Sequence, residues 1–143
     1  MNWKNEAIER LSKYTAMSQA VANIPLEIQR LERDSVSLQG VRTDKICRAS
    51  SPSRQDDVLI GNIIKQELLH RNYENARMWV RSTDRALGVL SQEEKTILER
   101  MYINPQRGVV SQLCQELGME QSSIYRKRDQ ALYRFTIALY GIS

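Results

Sequence analysis

The fold is decided by residues 113–124, which run Leu113-Cys114-Gln115-Glu116-Leu117-Gly118-Met119-Glu120-Gln121-Ser122-Ser123-Ile124. Two apolar helical patterns flank a glycine here. Gly118 can adopt the left-handed backbone that a sharp turn needs, and the small Cys114 allows two helices to cross closely. Met119 fills the turn from inside, and Ile124 anchors the second helix. The stretch therefore predicts a helix-turn-helix on six positions: Leu113, Cys114, Leu117, Gly118, Met119 and Ile124.

The second helix of this pair carries a polar face and a basic run. At about 100° per residue, Gln121, Ser122, Tyr125, Arg126 and Asp129 share the face opposite its apolar side. Such a face can enter the major groove of DNA, where side chains reach base edges. The pattern predicts double-stranded DNA as a partner, with contacts from Ser111, Gln112, Gln121, Ser122, Tyr125, Arg126, Lys127 and Arg128.

These predicted contacts have different roles. Gln121, Ser122 and Arg126 suit base edges, since arginine can hold guanine through two hydrogen bonds. Lys127 and Arg128 point toward the flanks of the helix, where phosphate contacts are expected. Ser111 and Gln112 open the preceding helix and could offer backbone amides to a phosphate. The alternative is that the basic run forms only a solvated surface.

Signals on either side extend the prediction to a domain at residues 89–143. Ser91 and Glu94 have the spacing of a capping box, which predicts a helix start. The turn-forming run Asn104-Pro105-Gln106-Arg107-Gly108 ends that helix.

The domain resembles the C-terminal promoter-reading domain of sigma factors, known as region 4. The resemblance rests on Leu90–Leu98, Leu113–Met119, Ser123–Arg126 and the pair Ala131-Leu132. It implies a four-helix domain whose recognition helix is locked to the core by the Ala-Leu pair. Residues 126–135 look especially like those of the ArpU-like phage transcriptional regulators. That likeness implies a regulator of late or lytic genes, with a helical N-terminal region ahead of the sigma-like domain.

Two residues depart from the family pattern. Glu120 stands where serine usually caps the recognition helix, and glutamate caps less well although its charge favours the helix dipole. Lys127 replaces an apolar residue, so the core of that helix depends more on Ile124, Ala131 and Leu132. Both departures leave the DNA-facing register open.

Residues 1–88, which precede this domain, are predicted to form a helical, coiled-coil-like region. Apolar spacings of three and four indicate a helix from Asn2 to about Val21, then a second stripe to Leu38, as two helices or one broken by Pro25. Residues 39–57 lack periodicity and predict a flexible loop. A long helix follows, to about Leu87, with the apolar line Ile60, Ile64, Leu68, Ala76, Trp79, Thr83 and Leu87. The chain as a whole is predicted to be all-α.

Composition excludes several classes of protein. The 143 residues carry a formal net charge of +4, which mildly favours an anionic partner. No apolar run approaches the roughly 20 residues that cross a bilayer, and the charged N-terminus lacks a signal-peptide core. We therefore expect a cytoplasmic protein without a membrane partner. Two cysteines and one histidine give no metal-ligand spacing, and no nucleophile lies beside a base, so we expect no metal, no cofactor and no enzymatic activity.

Three functions remain open from the sequence. The first is a sequence-specific transcriptional regulator of a phage or prophage operon, in which residues 1–88 contact RNA polymerase or form a homodimer. The second is a small terminase-like subunit for DNA packaging, which would assemble as a ring. The third is a helical interaction module that acts on RNA polymerase without binding DNA.

Overall fold

The computed structural model describes residues 2–44 and 54–141, and within these ranges the chain is helical with no strand. The predicted all-α class is confirmed. The elements are α1 (Trp3–Asp44), α2 (Arg54–Gly88), α3 (Gln92–Leu98), α4 (Val109–Leu117) and α5 (Gln121–Tyr140). A π-helical turn, Glu99–Ile103, continues directly from α3.

Helix α1 is continuous, so the break that Pro25 suggested is absent. A proline inside a helix removes one backbone hydrogen bond and crowds the carbonyl four residues earlier, at a cost of about 3 kcal/mol. Burial on both sides of the proline offsets this cost, because Ala7 and Leu11 are buried before it and Ile28 and Leu31 after it. Tertiary packing therefore overrides the local preference.

The segment predicted as a loop at about 39–57 is helical at both of its ends. Helix α1 continues to Asp44 and α2 begins at Arg54, while residues 45–53 lie outside the described part of the chain. Extending an existing helix adds a hydrogen bond for each residue that is fixed, so α1 can continue through residues that lack apolar periodicity. Asp56 and Asp57 in the first turn of α2 interact favourably with its dipole.

The C-terminal half of α2 buries Ala76 and Thr83 of the predicted apolar line, but its N-terminal half buries a different face from the one predicted. Ile60, Ile64 and Leu68 are 55%, 59% and 52% exposed, whereas Leu59 is buried. The polar Gln66 lies on the partly buried side and donates a hydrogen bond from Nε2 to the Ser35 Oγ of α1 at 3.2 Å. The prediction was wrong for Ile60, Ile64 and Leu68 because the packed face of this half of the helix mixes polar and apolar residues.

The chain divides into two compact units, and the division differs from the predicted boundary at residue 88. The terminal unit contains residues 1–18 and 78–143, and the middle unit contains residues 19–77. In the terminal unit, Ala7 and Leu11 of α1 pack with residues of α2, α3 and α5 in one cluster. The first turns of α1 thus share a core with residues of the domain predicted at 89–143, through Ala7, Leu11, Ala86, Leu90, Leu98, Ala131, Leu132 and Phe135.

The start of α3 has the predicted capping box. The Ser91 Oγ accepts a hydrogen bond from the Glu94 amide at 3.2 Å, and the Glu94 Oε1 accepts one from the Ser91 amide at 3.1 Å. The Glu94 carboxylate is buried and is also paired with Arg134 of α5, at 2.6 Å. The cap therefore fixes both the entry of α3 and its contact with α5.

Candidate nucleic-acid interface

Helices α4 and α5 are joined by a short turn built around Gly118. This glycine has φ 63° and ψ 34°, the left-handed conformation that the sequence predicted. The Met119 amide donates to the Cys114 carbonyl at 3.2 Å, which closes the end of α4. Helix α5 then starts after Glu120, whose side chain makes no capping hydrogen bond.

A second apolar cluster of the terminal unit holds α4 and α5 together. Its buried members are Ile97 of α3, Val109 and Leu113 of α4, and Ile124 of α5. The partly buried side chains around them include Cys114, Leu117 and Met119. Five of the six positions that predicted the pair lie in this cluster, and the sixth, Gly118, forms the turn.

The outward face of α5 agrees with the predicted periodicity. Ile124, Ala131 and Leu132 are fully buried, and so they fix which side of the helix faces the core. The opposite side is exposed to solvent and presents Gln121, Ser122, Tyr125, Arg126 and Asp129. Among the described residues, Arg126 has no hydrogen-bond or ion-pair partner, so its guanidinium is available to a ligand.

Several polar contacts order this face. Gln121 Nε2 lies 3.5 Å from the Tyr125 hydroxyl, and the Arg128 guanidinium sits 4.9 Å from the centre of the Tyr125 ring. Arg128 also pairs with Asp129 at 3.0 Å, and Lys4 of α1 reaches the same carboxylate at 3.5 Å. Partial desolvation raises the pKa of Asp129, but the hydrogen bond and charge of Arg128, together with Lys4, outweigh it and hold the pKa below its ordinary value.

Lys127 was predicted to point toward the flank of the helix, where phosphate contacts are expected. It is partly buried and forms an ion pair with Glu93 of α3. The charge of Lys127 is thus neutralised by a carboxylate on the neighbouring helix. Of the three basic residues in the run, two are paired inside the unit and Arg126 is unpaired among the residues described.

The start of α4 supports only part of the prediction made for it. Ser111 and Gln112 are both exposed. However, the Gln112 amide donates to the Gly108 carbonyl at 3.1 Å, so this amide is already used by the first hydrogen bond of the helix. The prediction of a backbone contact from Gln112 was therefore wrong. Its side chain remains accessible, and the amides of the first three residues of α4, ending at Ser111, lie at the open end of the helix.

Two long-range ion pairs position α4 and α5, and sequence reasoning did not find either pair. Arg134 binds the buried Glu94 at 2.6 Å and also donates to the Val89 carbonyl at 2.7 Å. Arg100 pairs with Glu116 of α4 at 2.6 Å. The capping box identified Glu94, but nothing in helical periodicity connects it with a residue forty positions later.

The described residues contain no group of three or more His, Cys, Asp or Glu side chains that could hold a metal ion. In the same ranges, no helix combines the length and the apolar character needed to cross a membrane. No protein-family model, curated protein or solved structure matches this chain.

Proposed function

We propose that the terminal unit binds double-stranded DNA in a sequence-specific manner, with α5 in the major groove. The observation that carries the proposal is the division of α5 into two sides. One side is locked in the core by three fully buried residues. The other side presents a row of exposed polar residues that can reach base edges: Gln121, Ser122, Tyr125 and Arg126.

The contacts within the unit refine the role of each basic residue. Arg126, which is exposed and unpaired among the described residues, is the candidate for a two-hydrogen-bond contact with guanine. Lys127 and Arg128 are paired with Glu93 and Asp129. Each of these two side chains can contact a phosphate only if it leaves its carboxylate or binds the carboxylate and the phosphate together. The interface therefore neutralises few phosphates, and we expect a slope of log affinity against log salt of about −1 to −3.

We propose that this DNA binding regulates transcription in the cell. The support is the resemblance of residues 89–140 to the C-terminal domain of sigma factors and to ArpU-like phage regulators. The buried pair Ala131-Leu132 lies where that resemblance places the contact between the recognition helix and the core. Arg126 and its neighbours would then select a site near a promoter.

The test is selection of duplexes from a random library by the full chain, followed by fluorescence-anisotropy titration of the enriched duplex and of competitor DNA. Arg126→Ala should weaken binding of the selected duplex by about 1–3 kcal/mol and reduce its preference over competitor. Arg33→Ala is the matched control, because Arg33 is an exposed arginine of the middle unit. This control should bind as the unsubstituted protein does.

A second variant tests the role of the internal ion pair. Glu93→Gln removes the partner of Lys127 while keeping the size of the side chain. The freed ammonium should strengthen binding to any duplex by about twofold to fivefold at low salt, and should steepen the salt slope. Equal affinities of Glu93→Gln and the unsubstituted protein would show that Lys127 lies outside the DNA interface.

A different result would favour the second candidate, a helical interaction module acting on RNA polymerase. The internal pairing of Lys127 and Arg128 is the observation that favours this candidate. It predicts that no duplex is enriched in the selection and that Arg126→Ala retains the affinity of the unsubstituted protein for every DNA tested. This pair of results would refute the DNA-binding proposal.

A further inference from the structure

Helix α2 of the middle unit has an exposed apolar stripe, formed by Ile60, Ile64 and Leu68. Each of these side chains is more than half exposed, and they follow one another at intervals of four residues along one face. The stripe is about 12 Å long at 1.5 Å per residue. Large aliphatic side chains placed together in this way are typical of a surface that is covered by another helix.

The stripe faces away from the packed side of α2. Leu59 and Ala76 are buried, and Gln66, which bonds to Ser35 of α1, lies on the same side as Leu59. At 100° per residue, Ile64 lies about 160° around the helix from Gln66. Helix α1 therefore leaves the stripe uncovered.

Oppositely charged residues stand at the two ends of the stripe. Asp57 precedes Ile60 by one turn, and Arg71 follows Leu68 by one turn. Both charged side chains are exposed, and neither has an ion pair or hydrogen bond among the residues described. Viewed along the helix axis, Asp57 and Arg71 each lie within about 20° of Ile64, so one charged residue stands at each end of the stripe.

The stripe and its two flanking charges are complementary to a second copy of the same residues that runs in the opposite direction. If a second copy of α2 runs antiparallel with Ile64 opposite Ile64, then Ile60 meets Leu68 and Asp57 meets Arg71. Every layer of the pair is then either apolar against apolar or acid against base, and the two-fold axis repeats each contact. Such a self-complementary patch is what an isologous dimer requires.

The geometry points to homodimerisation of the chain through an antiparallel pairing of α2 helices, centred on Ile64. The inference rests on the middle unit and does not depend on DNA binding. Three apolar residues from each copy make a small interface beside the ~1,200–2,000 Å² that stable specific complexes bury. The dimer is consequently weak, with a dissociation constant in the micromolar range.

The experiment is sedimentation equilibrium of the full chain over a concentration series from about 1 μM to about 500 μM, which brackets micromolar affinity. The unsubstituted protein should pass from monomer to dimer within this range. Ile64→Lys places a charge at the centre of the pairing and should leave only monomer. Leu26→Lys is the matched control, because Leu26 is 62% exposed and lies on α1 about 160° around the helix from the buried Ile28. The control should dimerise normally.

Charge reversal tests the antiparallel alignment itself. Arg71→Asp puts two acids together at both ends of the pairing and should weaken the dimer about tenfold, as should Asp57→Arg by joining two bases. The double variant Asp57→Arg with Arg71→Asp restores opposite charges and should return the dissociation constant to within about threefold of its original value. Far-UV circular dichroism of each variant checks that the helices remain folded.

Several results would overturn the inference. A chain that stays monomeric over the whole series, or that forms particles larger than a dimer, contradicts it. Equal loss of dimer with Ile64→Lys and Leu26→Lys shows that the stripe is not the interface. Failure of the double reversal to restore affinity shows that Asp57 and Arg71 do not meet across the pair. All these outcomes leave the DNA-binding test unaffected, since that test reads residues of the terminal unit.

Discussion

Replacing Leu11 by alanine should destabilise the terminal unit strongly, although Leu11 lies far along the chain from residues 78–143. Its side chain is completely buried among residues of α3 and α5, including Leu98 and Phe135. The substitution removes the buried atoms and leaves a cavity, which costs about 2–5 kcal/mol for a leucine in a core. We expect about 3 kcal/mol, because Ala7, one turn away, is too small to move into the space.

The assay is urea unfolding followed by tryptophan fluorescence. Both tryptophans, Trp3 and Trp79, belong to the terminal unit, so the signal reports this unit alone. With a slope of about 2 kcal/mol per M, a loss of 3 kcal/mol lowers the midpoint by about 1.5 M. Met78→Ala is the control in the same unit and should change the midpoint little, because Met78 is 66% exposed. A Leu11→Ala midpoint equal to that of Met78→Ala would refute the shared core.

Two further predictions concern the turn before α5 and the pH dependence of stability. Gly118→Ala should lower the free energy of unfolding of the terminal unit by about 1 kcal/mol because φ is positive there. Gly61→Ala, inside α2 of the middle unit, should raise the free energy of unfolding of that unit by up to about 1 kcal/mol when urea unfolding is followed by far-UV circular dichroism. Nothing lies within 4 Å of the new Cβ at either position. The hydrogen bond from the Tyr14 hydroxyl to Asp84 raises the pKa of Tyr14, with help from desolvation. A raised pKa in the folded state gives stability that is complete below the unfolded pKa of about 10 and is lost as the pH rises through the folded value. The urea midpoint should therefore fall between pH 8 and pH 11, and the fall should be larger for the unsubstituted protein than for Asp84→Asn. Equal falls in the two proteins would show that this hydrogen bond does not couple stability to pH.

The parts of the fold that depend on neighbouring residues were predicted from sequence. The capping box needs only Ser91 and Glu94, three residues apart, and the turn needs only a residue that tolerates positive φ at Gly118. Continuity of α1 through Pro25 could not be predicted, since it depends on burial of Ile28 and other side chains by a distant part of the chain. The packing of Leu11 was missed for the same reason.

The candidate interface divides in a similar way. Periodicity alone places Arg126 on the exposed side of α5, because Ile124 fixes the buried side within the same helix. The pairing of Lys127 with Glu93 could not be predicted, since it joins side chains 34 positions apart in sequence. On α2, apolar spacing selected Ile60, Ile64 and Leu68 as the packed line, but a polar side chain with a partner such as Gln66 can be buried as well.

The shared core of α1 and α5 also affects how the protein is made. Leu11 leaves the ribosome about 120 residues before Phe135, and translation at about 5–20 residues per second separates them by roughly 6–25 s. During that interval Ala86, Leu90 and Leu98 can cover Leu11 only in part, and its complete burial requires α5. Synthesis that stops before α5 then yields a chain whose first turns expose Leu11 to chaperones and proteases. The cluster that buries Leu11 includes Ala131, Leu132 and Phe135 of α5, so this residue stays incompletely covered until α5 has been made.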